Sequence, residues 1–155
     1  MQQTWNTERA QDIALGFKTM QGGLIPALHA LQDEFGYVDD DVLPVLAKVF
    51  NLSNADIFGI ITFYHDFKRN RTGSHSLKVC RGEACQSMGS EDLLDRIKDH
   101  LNVVVGGKTL DGAISLDHVF CLGNCALSPS IMINKTLYGR VTPQRLETLI
   151  SRLEK

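Results

Sequence analysis

Val79-Cys80-Arg81-Gly82-Glu83-Ala84-Cys85 and Cys121-Leu122-Gly123-Asn124-Cys125 decide the reading of this chain. All four cysteines among the 155 residues fall in these two stretches, as C-x4-C, a gap of 35 residues, and C-x3-C. Four thiolates on two glycine-containing loops suit one metal centre. Gly82 and Gly123 allow the backbone to bend close to the ligands, so that loop N–H groups point at inorganic sulfide. On spacing alone the favoured reading is a [2Fe–2S] cluster held by Cys80, Cys85, Cys121 and Cys125. A structural four-cysteine zinc site stays open, because zinc loops use similar spacings. Neither pair is the C-x-x-C of a thioredoxin-type dithiol. Four unrelated buried cysteines would explain neither the pairing nor the glycines. His118, three residues before Cys121, reads first as a packing or surface histidine and second as a neighbour of the centre.

Met1–Gln11 is polar and contains Glu8, so no secretory leader is expected. A reducing, cytoplasmic compartment follows, where structural disulfides are rare. Hydrophobic residues make up 43% and charged residues 22%, as in an ordinary globular protein. A formal charge of −2 gives no pull toward nucleic acid. No apolar run reaches the ~20 residues of a membrane span, so no membrane insertion is expected.

Residues 1–70 read as a small helical bundle and 71–155 as a separate α/β domain. Ala10, Ile13, Ala14, Phe17 and Met20 follow one helical face, broken by Gly22-Gly23. Leu24, Leu28, Leu31 and Phe35 mark a second helix, ended by Gly36. One of Asp39, Asp40 and Asp41 caps a third, with Val42, Leu46 and Val49 as its stripe. Ser53 and Asp56 form a capping box for a fourth, whose stripe is Ile57, Ile60, Ile61 and Tyr64. Phe58, Phe63 and Phe67 lie off that stripe and need a second surface to bury them.

Lys68–Ser76 is polar and basic and reads as the linker. Beyond it, Leu77–Val79 is a strand delivering Cys80. Ser90 is expected to cap a helix bearing Leu93, Leu94, Ile97 and Leu101. Val103–Val105 is β-branched and reads as a strand. Ala113–Phe120 contains the strand delivering Cys121. Ile131–Ile133 and Leu137–Val141 flank a turn and read as a hairpin. Thr142 and Pro143 open a last helix with Leu146, Leu149, Ile150 and Leu153 inward. The fold class is therefore α+β, a helical bundle followed by a thioredoxin-like α/β domain.

With these residues placed, the chain resembles the thioredoxin-like [2Fe–2S] subunits of NADH-linked redox complexes. Leu24–Val38, Ile60–Phe67, Val79–Gly89, Cys121–Pro129 and Tyr138–Pro143 look like that family's helix, ligand-loop and hairpin signatures. The resemblance covers nearly the whole chain, and the family's four ligands correspond to Cys80, Cys85, Cys121 and Cys125. Among its branches are the thioredoxin-like subunit of complex I, the corresponding subunit of NAD-reducing hydrogenases and the gamma subunit of NAD-dependent formate dehydrogenases. Glu83–Gly89 looks most like the last.

The resemblance implies an electron relay with no catalytic residue of its own. One [2Fe–2S] cluster would sit on this chain. FMN and NAD(H) would sit on a partner flavoprotein subunit, linked in turn to a larger iron–sulfur catalytic subunit. Arg81 would add positive charge beside the centre or point to solvent, and Asn124 would bond a sulfur or shape its turn. A free-standing ferredoxin and a zinc-stabilised adaptor are the competing functions; the first lacks a use for the helical extension.

Overall fold

Helix α1, Thr7–Leu15, starts where the Asn6 carboxamide accepts the Arg9 N–H at 3.0 Å. The computed structural model describes residues 5–153. Met1–Thr4, the start of the polar segment read as leaderless, and the last two residues lie outside that range. So do those ends of the two expected domains. The chain divides into two compact units, Met1–Arg71 and Thr72–Lys155.

In the first unit α1 is shorter than its stripe suggests. It stops at Leu15, and Gly16, Phe17, Lys18 and Met20 follow in successive i→i−3 turns. Gly16 is a poor helix former, and Met20 ends 53% exposed rather than in the core. Helix α2, Leu24–Phe35, buries Leu24, Leu28, Leu31 and Phe35, and Gly36 ends it in the left-handed conformation. The Asp39 carboxylate accepts the Asp41 N–H at 3.0 Å, opening a 3-10 turn that runs into α3, Leu43–Phe50. Val42, Leu46 and Val49 join the core.

Helix α4, Asn54–Phe63, carries the capping box in full. Ser53 Oγ accepts the Asp56 N–H at 3.1 Å, and the Asp56 carboxylate accepts the Ser53 N–H at 3.2 Å. The Ser53 hydroxyl and N–H hold the Asp56 carboxyl below its usual pKa. Removing the N-cap acceptor in Ser53→Ala is expected to cost about 1 kcal/mol in urea unfolding. A depressed carboxyl pKa stabilises fully above its unfolded value and ceases to as pH falls through the folded one. The cost of Ser53→Ala should thus shrink on acidification through that range; a pH-independent cost would contradict the box.

The aromatic positions around α4 separate. Ile57 and Ile61 are buried, whereas Tyr64, expected in the stripe, is 45% exposed. Phe67, expected on an outer face with Phe63, is buried instead. The helix ends at Phe63, so the four-residue spacing no longer applies. The chain turns back and places the Phe67 ring 5.0 Å from His29. Lys68 is not free linker: its N–H donates to Gln32 Oε1 at 2.6 Å and its carbonyl accepts the Val38 N–H at 2.7 Å.

The second unit is a four-stranded sheet in the order β2-β1-β3-β4. Strand β1, His75–Cys80, runs parallel to β2, Ile114–Val119, with Cys80 opposite Val119. Strand β3, Ile131–Ile133, is antiparallel to β1 and makes a hairpin with β4, Thr136–Tyr138. The turn is Asn134-Lys135, with Asn134 left-handed, one residue shorter than expected. Helices α5, Glu83–Ser87, and α6, Ser90–Leu101, connect β1 to β2; α7, Pro143–Ile150, closes the chain. Leu93, Leu94, Ile97, Leu146, Leu149 and Ile150 meet Leu77, Val79 and Ile131 in one core.

Two local expectations fail here. Ser90 is not a cap: Gly89 takes the N-cap place in a left-handed conformation, and the Ser90 hydroxyl is buried. Val103–Val105 is not a strand. Val103 is buried, but Val104 is 73% exposed and the chain turns at Gly106. The segment just after it lies along the outer edge of β2. Leu116 N–H donates to Gly107 O, Gly106 N–H to Leu116 O and Thr109 N–H to Ile114 O. Among the described residues no helix is long and apolar enough to cross a membrane.

Candidate metal centre

The two parallel strands end side by side, and each hands its chain to one cysteine loop. Cys80 is the last residue of β1, its N–H bonded to Ser130 O, while the next N–H, from Arg81, reaches Val119 O at 2.7 Å. The loop after β2 carries Cys121 and Cys125. Gly82 is fixed by close approach: a Cβ there would lie 2.7 Å from Phe120 O and 3.6 Å from Cys80 Sγ. The two loops are thus in backbone contact where both chains leave the sheet.

Their thiols differ in access. Cys80 and Cys85 are buried; Cys121 and Cys125 are exposed. Cys121 and Cys125 Sγ lie 3.9 Å apart. Tetrahedral metal–thiolate bonds of about 2.3 Å place two sulfurs about 3.8 Å apart, so this pair has the separation of two ligands on one ion. The Gly123 N–H donates to Cys121 Sγ at 3.2 Å, one of the N–H···S bonds expected around such sulfurs. Among the described residues no three His, Cys, Asp or Glu side chains gather as for a single ion. The sulfurs meet instead as two pairs.

The four thiols influence one another. Burial pushes Cys80 up, against N–H donors from Gly82 and Leu122. Burial also opposes ionisation of Cys85, but hydrogen bonds with Ser128, Cys80 and Ser130 outweigh it and hold that thiol below its usual value. Cys125 is raised by its hydrogen bond with Cys121 and by the charge there, with smaller effects from Cys85 and Cys80. Crowded thiols resist ionising together, and a cationic metal removes that resistance.

The flanking residues take structural parts. The Asn124 amide donates to Ser130 Oγ at 3.1 Å, so it shapes the turn rather than bonding a sulfur. Arg81 Nε donates to the Glu91 carboxylate at 3.0 Å, so it is neither a bare charge beside the centre nor a purely solvent-exposed one. His118 stands edge-on to Phe120 with centroids 5.2 Å apart, the packing role.

Sequence reasoning passed over Ser128, Ser130 and Gly139. Ser128 Oγ lies 3.5 Å from Cys85 Sγ and donates to Cys125 O at 2.7 Å, so it touches both loops. A Cβ on Gly139 would meet Asn124 Nδ2 at 2.6 Å, Leu127 Cβ at 2.7 Å and Leu127 O at 2.9 Å. Gly139→Ala must push the hairpin exit off the second cysteine loop. It is expected to cost about 1–3 kcal/mol and to lower metal retention, read by thermal melting and metal analysis of the same samples. An unchanged melt would show that the loop yields freely.

Three comparisons with known proteins bear on the family and the fold. The family model for thioredoxin-like [2Fe-2S] ferredoxins matches residues 10–154. NADP-reducing hydrogenase subunit HndA of Solidesulfovibrio fructosivorans is 32% identical over 131 residues, 84% of this chain and 77% of that subunit. A subunit of the NADH-quinone oxidoreductase of Mycobacterium bovis is 30% identical over 144 residues, 93% of this chain but 57% of its own length. The chain thus spans little more than half of that mycobacterial relative. Among solved structures, an NAD+-reducing [NiFe]-hydrogenase in the air-oxidised state superposes with a TM-score of 0.75 at 22% identity. That match covers 85% of this chain and 23% of the hydrogenase chain, a likeness of fold. With four cysteines on paired loops at the end of a thioredoxin-like sheet, and a family match over nearly its whole length, the chain belongs to the thioredoxin-like [2Fe-2S] ferredoxin family.

Proposed function

We propose that the chain is an electron-transfer subunit of a multisubunit NAD(H)-linked oxidoreductase and holds one [2Fe–2S] cluster on Cys80, Cys85, Cys121 and Cys125. The observation that carries this is the pairing of the thiols, an inner pair on the β1 loop and an outer pair, 3.9 Å apart, on the β2 loop. When bound, such a cluster accepts and returns one electron. The chain's own residues hold and screen it. Cys80 and Cys85 anchor it from the buried side, the Gly123 N–H stabilises thiolate charge at Cys121, and Ser128 ties the two loops together. The outer pair faces solvent, where an electron partner reaches it.

Substrate chemistry then belongs to companion subunits: a flavoprotein carrying FMN and NAD(H), and beyond it a larger iron–sulfur subunit. The relatives' names support an NADH- or NADPH-linked complex. Within that class the loop Glu83–Gly89 favours the gamma subunit of an NAD-dependent formate dehydrogenase over complex I or a hydrogenase. The helical unit acts as a docking domain and the second unit as the ferredoxin, in the cytoplasm. Anaerobic purification tests the core of this reading. The expected result is a red-brown protein with two iron and two sulfide per chain and one S = 1/2 signal after dithionite. A colourless protein carrying stoichiometric zinc would overturn it.

A further inference from the structure

A cleft of about 650 Å³ opens in the second unit beside both cysteine loops. Its apolar wall includes Met88, three residues after Cys85, and Pro129, four after Cys125, with Leu93 and Val141. Its charged groups are Arg96, Arg140 and Asp92, a balance of two cations to one anion. Among the described residues neither guanidinium has a carboxylate within ion-pair distance. Arg140 also has a φ of 49°, which an arginine rarely adopts. Its N–H is fixed to Leu127 O at 2.6 Å, so the strained residue is pinned to the second cysteine loop. Backbone strain of this kind is concentrated at binding and switch sites.

We infer that this cleft takes an acidic, partly apolar segment of a companion subunit. Its carboxylate would meet Arg96 and Arg140, and its apolar side chains would cover Met88 and Pro129, above the buried Leu93 and Val141. Guanidinium groups on an apolar floor suit desolvated carboxylates. An exposed methionine, 60% accessible here, adapts to irregular apolar partners. A nucleotide fits less well, because no lining residue offers an aromatic ring for a base. The inference rests on the electron-transfer reading and adds the place where the companion polypeptide touches the ferredoxin unit.

The test is made on the native complex. In the double variant Arg96→Glu/Arg140→Glu, the share of protein retained by its companion subunits is expected to fall at least about tenfold, with the visible spectrum unchanged. Added salt should weaken wild-type retention in the same direction, and Arg152→Glu, outside the cleft, should behave as wild type. A photo-crosslinking amino acid at Met88 should capture a companion segment bearing Asp or Glu. Retention unaffected by the double variant, or capture of a segment without acid, overturns the inference while a coloured complex leaves the electron-transfer reading standing. Binding of inorganic phosphate or AMP to wild type but not to the double variant assigns the cleft to a small anion and overturns it as well. A protein without cluster signal or companion overturns both.

Discussion

Serine at Cys80, Cys85, Cys121 or Cys125 is expected to lower cluster occupancy by more than about tenfold. Loss of even an outer-shell partner at a metal site costs that much. The chain has four cysteines, so none can substitute for a lost ligand. The readout is the reduced-state EPR signal together with iron content. A variant that keeps a full, unchanged signal would remove that cysteine from the ligand set. The same loss has a regional consequence. Metal binding is linked to the stability of the structure that holds it, and all four sulfurs belong to the unit Thr72–Lys155. Hydrogen exchange should therefore rise in residues 77–153 far more than in 10–65. Equal loss of protection would argue against separable domains.

Phe63→Asp is expected to release the subunit from its complex while leaving the isolated chain folded. The Phe63 ring is 73% exposed, with Tyr64 edge-on at 5.0 Å; Phe58, on another face of the same helix, is 41% exposed under the Arg69 guanidinium. A Phe that is buried only on docking contributes about 2 kcal/mol, and an aspartate there adds the cost of desolvating a charge. Weakening of about thirtyfold or more follows, against a shift within about 0.5 kcal/mol in the melt of the free chain. Ile57→Asp is the contrast: that side chain is fully buried in the helical core and its variant should not fold. If Phe63→Asp co-purifies like wild type, the proposed flavoprotein partner does not use this face.

Reading the fold from sequence succeeded where local chemistry was self-sufficient. Ser53 with Asp56, Gly36 after Phe35, and Thr142 with Pro143 each complete a helix end from residues within one turn. The cysteine loops were legible because thiols at fixed spacing have few other uses. Failures arose where a distant neighbour decided. Ser90 has the chemistry of a cap, but Gly89 adopts the left-handed conformation and the serine is drawn into the interior. Val103–Val105 has strand propensity, yet only Val103 is fully drawn into the core before Gly106 turns the chain. Phe67 was misplaced by assuming that α4 continues past Phe63. At the site, Gly139 and Ser130 act through contacts 15 and 6 residues away from Asn124, which spacing does not reveal.

The strip of polypeptide along β2 matters most before any metal arrives. An edge strand with open N–H and C=O groups invites pairing with another copy, and a ferredoxin polypeptide must wait for its iron and sulfide after synthesis. Here residues 106–109 occupy Ile114 and Leu116 on the outer side of the strand that leads into the loop of the exposed cysteines, while the opposite edge, β4, is only three residues long. The waiting protein therefore offers little template for fibrillar stacking at the place where it must stay open to receive its cargo.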